Sequence, residues 1–207
     1  MIITITGKPC SGKSTVARII CEKFGFTHIA VGDIFKQEAD KQGMSVEQFN
    51  KKCAENPQFD NFVDDKIKEL GVQYSGQKYL FDSRLAWHFI PDSFKVYVDL
   101  DDDTMAERLA NSDREGFEKY TNLDDAKKTL QNRRKLEVER YQNLYDVNLE
   151  DLQNYDFVIN SKNLTPDEVA GEIITAYKDY IVSVKKTENT EGLNEENGIH
   201  TKQKRKN

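Results

Sequence analysis

The chain has 207 residues, a formal net charge of -6, 32% charged residues and 37% hydrophobic ones. That length suffices for one α/β domain with a sizeable core and a small insertion, while interleaved charges of negative balance exclude a general nucleic-acid binder, which presents a strongly basic face. Cys10, Cys21 and Cys53 are far apart and form no C-x-x-C pair, so they read as reduced thiols, and no stretch is apolar and long enough to cross a bilayer.

Ile2, Ile3, Thr4, Ile5 and Thr6 have strand composition. A first strand that starts there leaves no signal peptide to be expected, so the expected location is cytoplasmic. "GKPCSGKS" (7–14) follows, and Val16, Ala17, Ile19 and Ile20 then recur at helical spacing, which predicts a helix over 13–24. Strand, glycine loop and helix in that order make the pattern a P-loop. Gly7 and Gly12 let the backbone of Lys8, Pro9, Cys10 and Ser11 wrap a phosphate, and the helix start adds its positive end. Lys13 reaches the β- and γ-phosphates, Ser14 binds Mg²⁺, and Thr15 approaches the α-phosphate. No N-K-x-D motif accompanies the loop, which argues against a guanine-reading switch.

A second strand is expected over 26–31 ("FTHIAV"), followed by "VGDIFK". Asp33 there is expected to cap a helix and Lys36 to meet an acceptor phosphate one turn in. Residues 33–71 hold only helical material, an insertion whose second helix carries Phe59, Phe62, Val63, Ile67 and Leu70 on one face and ends at Gly71. Strands follow at 77–82 and 94–100, and a last one at 155–160. This alternation predicts an α/β fold, a five-stranded parallel sheet with helices on both faces. In "FDSRLAW", Asp82 at a strand end suits the water shell of Mg²⁺, and Arg84 suits a bidentate phosphate clamp.

The polar stretch 111–122 is expected to be a short lid, and 181–207 a disordered tail after a domain spanning 1–180. Between them a helix is predicted over 123–145. Its apolar stripe through Leu123, Ala126 and Leu130 gives way to Arg134 and Glu137, flanked by Arg133 and Arg140, before returning at Tyr141 and Leu144. Charge where a core stripe should continue points to a polar cleft, with arginines that act on a transferring phosphoryl group.

Taken together, "GKPCSGKST", "GDIFK", the helical insertion, "FDSRLAW", "ERL" and "RRKLEVERY" resemble the compact, short-lid cytidylate kinase-like family of nucleoside monophosphate kinases over residues 1–180. The resemblance implies phosphoryl transfer from ATP to CMP or dCMP with Mg²⁺, by a monomer acting on small molecules without nucleic acid or membrane partners. It implies that Lys13 and the loop hold ATP, that Arg108 belongs to the base of the lid, and that Arg133 and Arg140 bridge donor and acceptor. It also implies that Arg84 clamps the acceptor phosphate and Glu137 holds the acceptor nucleotide. Two positions depart from the pattern: Lys36 stands where many members have Arg, and "DSR" where many have Glu-Gly-Arg. Both bear on the acceptor, which leaves AMP, UMP and dephospho-coenzyme A as other acceptors and a nucleotide-dependent regulatory factor as another class of function.

Overall fold

The computed structural model describes residues 2–45, 48–49, 52, 57–73, 77–111 and 123–203, without the side chains of 35, 57–63, 129, 133 and 187–203. Strands β1 (Ile2–Gly7), β2 (Thr27–Ala30), β3 (Tyr79–Asp82), β4 (Phe94–Asp99) and β5 (Phe157–Asn160) form one parallel sheet in the order β2-β3-β1-β4-β5. The helices are α1 (Lys13–Phe24), α2 (Val31–Lys41), α3 (Pro57–Gln73), α4 (Ala86–Phe89), α5 (Asp102–Ala110), α6 (Leu123–Tyr145) and α7 (Pro166–Gln203). Among the described residues, no helix is long and apolar enough to cross a membrane.

Period-two alternation divides the core between the faces of the sheet. Leu80, Val96 and Val98 pack with Ile3, Ile5 and Val16 and with Ile173 of α7, whereas Phe81 turns to Ile67 and Leu70 of α3, and Tyr97 to Trp87 and Tyr155. Burial of each such Ile or Leu contributes about 1.5–3 kcal/mol. β1 lies at the centre, with Ile5 in register with Asp82 of β3 and Gly7 with Val98 of β4. The chain leaves β1 towards β2 and leaves β4 towards β5, so a crevice opens at the carboxyl ends of the central strands.

Several local expectations are corrected. α2 starts at Val31 directly after β2, with Ala30 as its N-cap, so Asp33 lies inside the first turn and caps nothing. α3 runs past Gly71 to Gln73; a Cβ at Gly71 would stand 2.9 Å from the Ile90 side chain, so this glycine makes room for packing and does not end the helix. α7 runs as helix to Gln203, and Tyr180 and Ile181 pack against the core. Residues 112–122, nearly all of the expected lid, lie outside the described residues.

Candidate active site

The loop between β1 and α1 is shaped by its glycines. Gly7 has φ +152°, and a Cβ there would fall 2.2 Å from the Val98 carbonyl oxygen, so β4 packs directly on its backbone. Lys8 N–H donates to that same carbonyl at 3.1 Å. Gly12 takes φ +83° as the N-cap of α1, a position that offers no side-chain oxygen to the first-turn amides, and that first turn holds no acidic residue. The unsatisfied N–H groups and the dipole of α1 therefore face the loop, as an anion requires.

A cleft of about 210 Å³ lies in this loop, lined by Lys8 to Thr15 and by Arg84. Lys13 Nζ stands 3.0 Å from Asp82 Oδ1 and 3.5 Å from Ser14 Oγ. The approach to Asp82 is off hydrogen-bonding geometry, so that buried carboxylate oxygen accepts no hydrogen bond. Ser14 Oγ and Asp82 Oδ1 are hard oxygen donors beside a phosphate cradle, a set that suits Mg²⁺. No group of three or more His, Cys, Asp or Glu suited to a metal occurs among the described residues. The Ser11 hydroxyl, in the lining of the same cleft, is also buried without a hydrogen-bond partner.

A second cavity of about 390 Å³ shares Cys10, Ser11 and Gly12 with the first and extends to Arg108, Ser161 and Leu164. Arg108 braces it: Nη1 donates to the Cys10 carbonyl at 3.2 Å and Nη2 to the Ser161 carbonyl at 2.8 Å. Ser161 Oγ in turn donates to the Ser11 carbonyl at 2.9 Å. The sequence reading did not single out Ser161; its signal was a small polar residue directly after the last strand, at the carboxyl edge of the sheet. Lys8 is drawn to Asp99 at the end of β4, 3.0 Å away.

On the other flank, Arg84 is held at both ends. Its carbonyl accepts from the Thr6 hydroxyl at 3.2 Å and the Trp87 indole at 3.1 Å. Its guanidinium donates through Nη1 to the Gly7 carbonyl and pairs through Nε with Glu137 of α6 at 3.0 Å. α6 reaches the insertion through Tyr145, whose hydroxyl donates to the buried Asp64 of α3.

The structure thus brings Gly7 to Thr15, Asp82, Arg84, Glu137 and Arg108 around one loop. It leaves Asp33 and Lys36 exposed on α2, with no ion pair among the described residues. Arg140 is half-buried with its guanidinium 5.7 Å from the Tyr141 ring, and Arg133 has no described side chain. Arg134, read as part of the polar cleft, turns to Glu150 at 2.6 Å and the Tyr97 hydroxyl at 2.7 Å, so it braces α6 against β4.

Comparison with known proteins places the chain in a family and a fold. The family described as an AAA domain matches residues 3–131. A protein of Archaeoglobus fulgidus named cytidylate kinase is 34% identical over 177 residues, 85% of this chain and 94% of its own length. One of Natronomonas pharaonis with the same name is 35% identical over 182 residues, 87% of this chain and 91% of its own. The crystal structure of shikimate kinase from Aquifex aeolicus shares the fold, with a TM-score of 0.56 at 20% identity over 87% of this chain and 98% of that one.

Proposed function

Because the chain belongs to the cytidylate kinase family and is therefore a nucleoside monophosphate kinase, we propose that it transfers the γ-phosphoryl group of ATP to CMP or dCMP. The observation that carries the reading is the convergence of Lys13, Arg84 and the open N-terminus of α1 on one cleft, with a cavity for a base on its Arg108 side. Phosphoryl transfer asks for positioning and neutralised charge, and an acceptor phosphate oxygen is a nucleophile at neutral pH without a general base.

In this reading the loop amides and Lys13 hold the donor phosphates, and the orphan Ser11 hydroxyl supplies a further donor. The ATP base lies in the cavity between Arg108 and Leu164. Arg84 clamps the acceptor phosphate, and Arg133 and Arg140 close on the transferring group from α6. Ser14 and Asp82 hold Mg²⁺, which supplies charge neutralisation between the phosphates. Lys36 meets the acceptor as a point charge, since a Lys lacks the fork an Arg offers a phosphate.

An ADP-release assay with Mg-ATP against CMP, dCMP, UMP, AMP and dephospho-coenzyme A, each over a no-acceptor blank, tests the acceptor. Turnover confined to CMP and dCMP is the expected result. Preference for another monophosphate discards the base assignment and keeps the kinase. ATP binding without transfer to any of them replaces the reading by a nucleotide-dependent regulatory factor.

A further inference from the structure

We infer that Ser161 is a positioning residue for the phosphoryl donor: through the Ser11 carbonyl its hydroxyl aims the Gly12 N–H into the phosphate cleft. The inference rests on the reading of this loop as the site of the donor phosphates, and in it Ser161 itself touches no phosphate.

Ser161 is mounted on the end of the sheet and is buried there. Its N–H donates to the Asp99 carbonyl at 3.0 Å, and its own carbonyl accepts from Arg108 Nη2 at 2.8 Å. The backbone is therefore held independently of the side chain. Arg108 Nη1 stands 3.4 Å from Ser161 Oγ, and a guanidinium only donates. The hydroxyl oxygen accepts from that side, and its single hydrogen goes to a carbonyl. The Ser11 carbonyl, at 2.9 Å, is nearer than the Asp99 carbonyl, at 3.2 Å.

The consequence lies at the other end of the Ser11–Gly12 peptide. Its C=O and N–H belong to one planar trans unit and point in opposite directions. Ser161 lines the cavity beside Arg108 and not the phosphate cleft, whereas Gly12 lines both. A Ser11 carbonyl turned to Ser161 therefore turns the Gly12 N–H towards the cleft. Glycine makes this hold necessary. Gly12 has φ +83° and nothing within 4 Å of where a Cβ would stand, so no side-chain packing at this residue fixes the peptide plane before it. Rotated by half a turn, the same peptide would present its carbonyl oxygen to a phosphate and repel it. The Ser161 hydroxyl blocks that rotation from behind the loop.

The test compares wild type, Ser161→Ala and Ser161→Thr by equilibrium affinity for Mg-ATP and for magnesium tripolyphosphate, which has neither base nor sugar. Ser161→Ala keeps the backbone bonds to Arg108 and Asp99 and removes the hydroxyl alone. It should weaken both ligands by the same factor, roughly tenfold to a hundredfold, the value of one hydrogen bond to a charged group. In turnover it should raise KM for ATP and leave KM for the acceptor within about twofold. Ser161→Thr, which keeps the hydroxyl, should bind both ligands within about threefold of wild type. A loss confined to ATP would overturn the inference, since it would put Ser161 on the nucleoside in the cavity it lines. Full affinity for both ligands in Ser161→Ala would also overturn it, and a lowered melting midpoint beside that affinity would make the hydroxyl a strut of the fold alone. So would a Ser161→Thr protein of wild-type stability that binds as weakly as Ser161→Ala. Neither ligand includes an acceptor, so an error in the CMP assignment shows in turnover with other monophosphates and leaves this result standing. A wild-type protein that binds neither ligand would remove the phosphate site and the inference together.

Discussion

The two flanks of the phosphate loop use their charged groups differently. On the Arg108 side, guanidinium and hydroxyl donors are tied to backbone carbonyls: Arg108 to Cys10 and Ser161, and Ser161 to Ser11. On the Arg84 side, ionised groups are held mainly by other ionised groups, Arg84 by Glu137 and Lys13 by Asp82. A carbonyl contact is part of the fold and persists when a ligand binds. An ion pair in a cleft is replaceable, because a phosphate offers the cation a better partner. In the proposed reading, one flank builds the site and the other reacts within it.

The sharpest way to break this division is to remove one arginine from each flank. Arg84→Ala is expected to lower turnover about a thousandfold, the scale of a cation that stabilises a transferring phosphoryl group, with the melting midpoint nearly unchanged. Arg133→Ala is expected to behave alike. Arg108→Ala should instead lower the melting midpoint and raise KM for ATP together, since it unties the Cys10 and Ser161 carbonyls. Steady-state kinetics and melting curves on the same preparations decide it. Near-normal turnover in Arg84→Ala or Arg133→Ala removes that residue from the mechanism, and an Arg108→Ala protein as stable as wild type removes the division itself.

Within the loop, two glycines provide the next contrast. Gly7→Ala forces a Cβ to within 2.2 Å of the Val98 carbonyl oxygen, where β1 and β4 are hydrogen-bonded and have no room to separate. The expected loss is about 3 kcal/mol, the upper end for an overpacked interior. Gly12→Ala meets nothing within 4 Å, so only the left-handed backbone is strained, at about 1–2 kcal/mol. Denaturant unfolding of both variants ranks them, and equal losses would mean that backbone conformation rather than close packing fixes the loop.

How far the sequence alone disclosed this site follows the same line. The strand, glycine loop and helix at 2–24 were readable because each local preference agrees with the others, and the helix over 123–145 was readable from its period. The sheet followed from the alternation of elements. Long-range partners were hidden. Nothing local says that Arg134 turns to Tyr97, that Ser161 bonds the loop from 150 positions away, or that Asp64 on a charged helix is buried under Tyr145. The Asp33 cap was misjudged for a related reason: β2 runs straight into α2, so the residue that reads as a cap falls one turn too late.

The contact between Asp64 and Tyr145 joins the insertion to α6, and it predicts an effect between those of the two glycines. Tyr145→Phe deprives a buried carboxylate of one donor and should cost about 1.5–3 kcal/mol, the value of a hydrogen bond to a charged group. If the acceptor side works by moving, the cost should also show as a change in acceptor KM, because a looser insertion closes less readily. Stability lost without any change in KM would make the contact a structural strut only.

The smallest effect is expected where α5 begins. Asp101 accepts the Thr104 N–H at 3.0 Å as the N-cap of that helix and pairs with Lys162 at 3.2 Å, and these donors hold its carboxyl well below its ordinary value of 3.8. A carboxylate depressed in the folded protein stabilises it above the unfolded pKa and loses that contribution as pH falls through the folded one. The melting midpoint of wild type should therefore exceed that of Asp101→Ala by a constant margin from pH 7 down to about pH 5, and the margin should shrink once pH falls past 3.8. α5 carries Arg108 in its last turn, so the same titration should weaken the brace on the donor flank. A margin that does not change with pH would show that the cap acts as a dipole alone and that the charge of Asp101 contributes nothing to holding Arg108 in place.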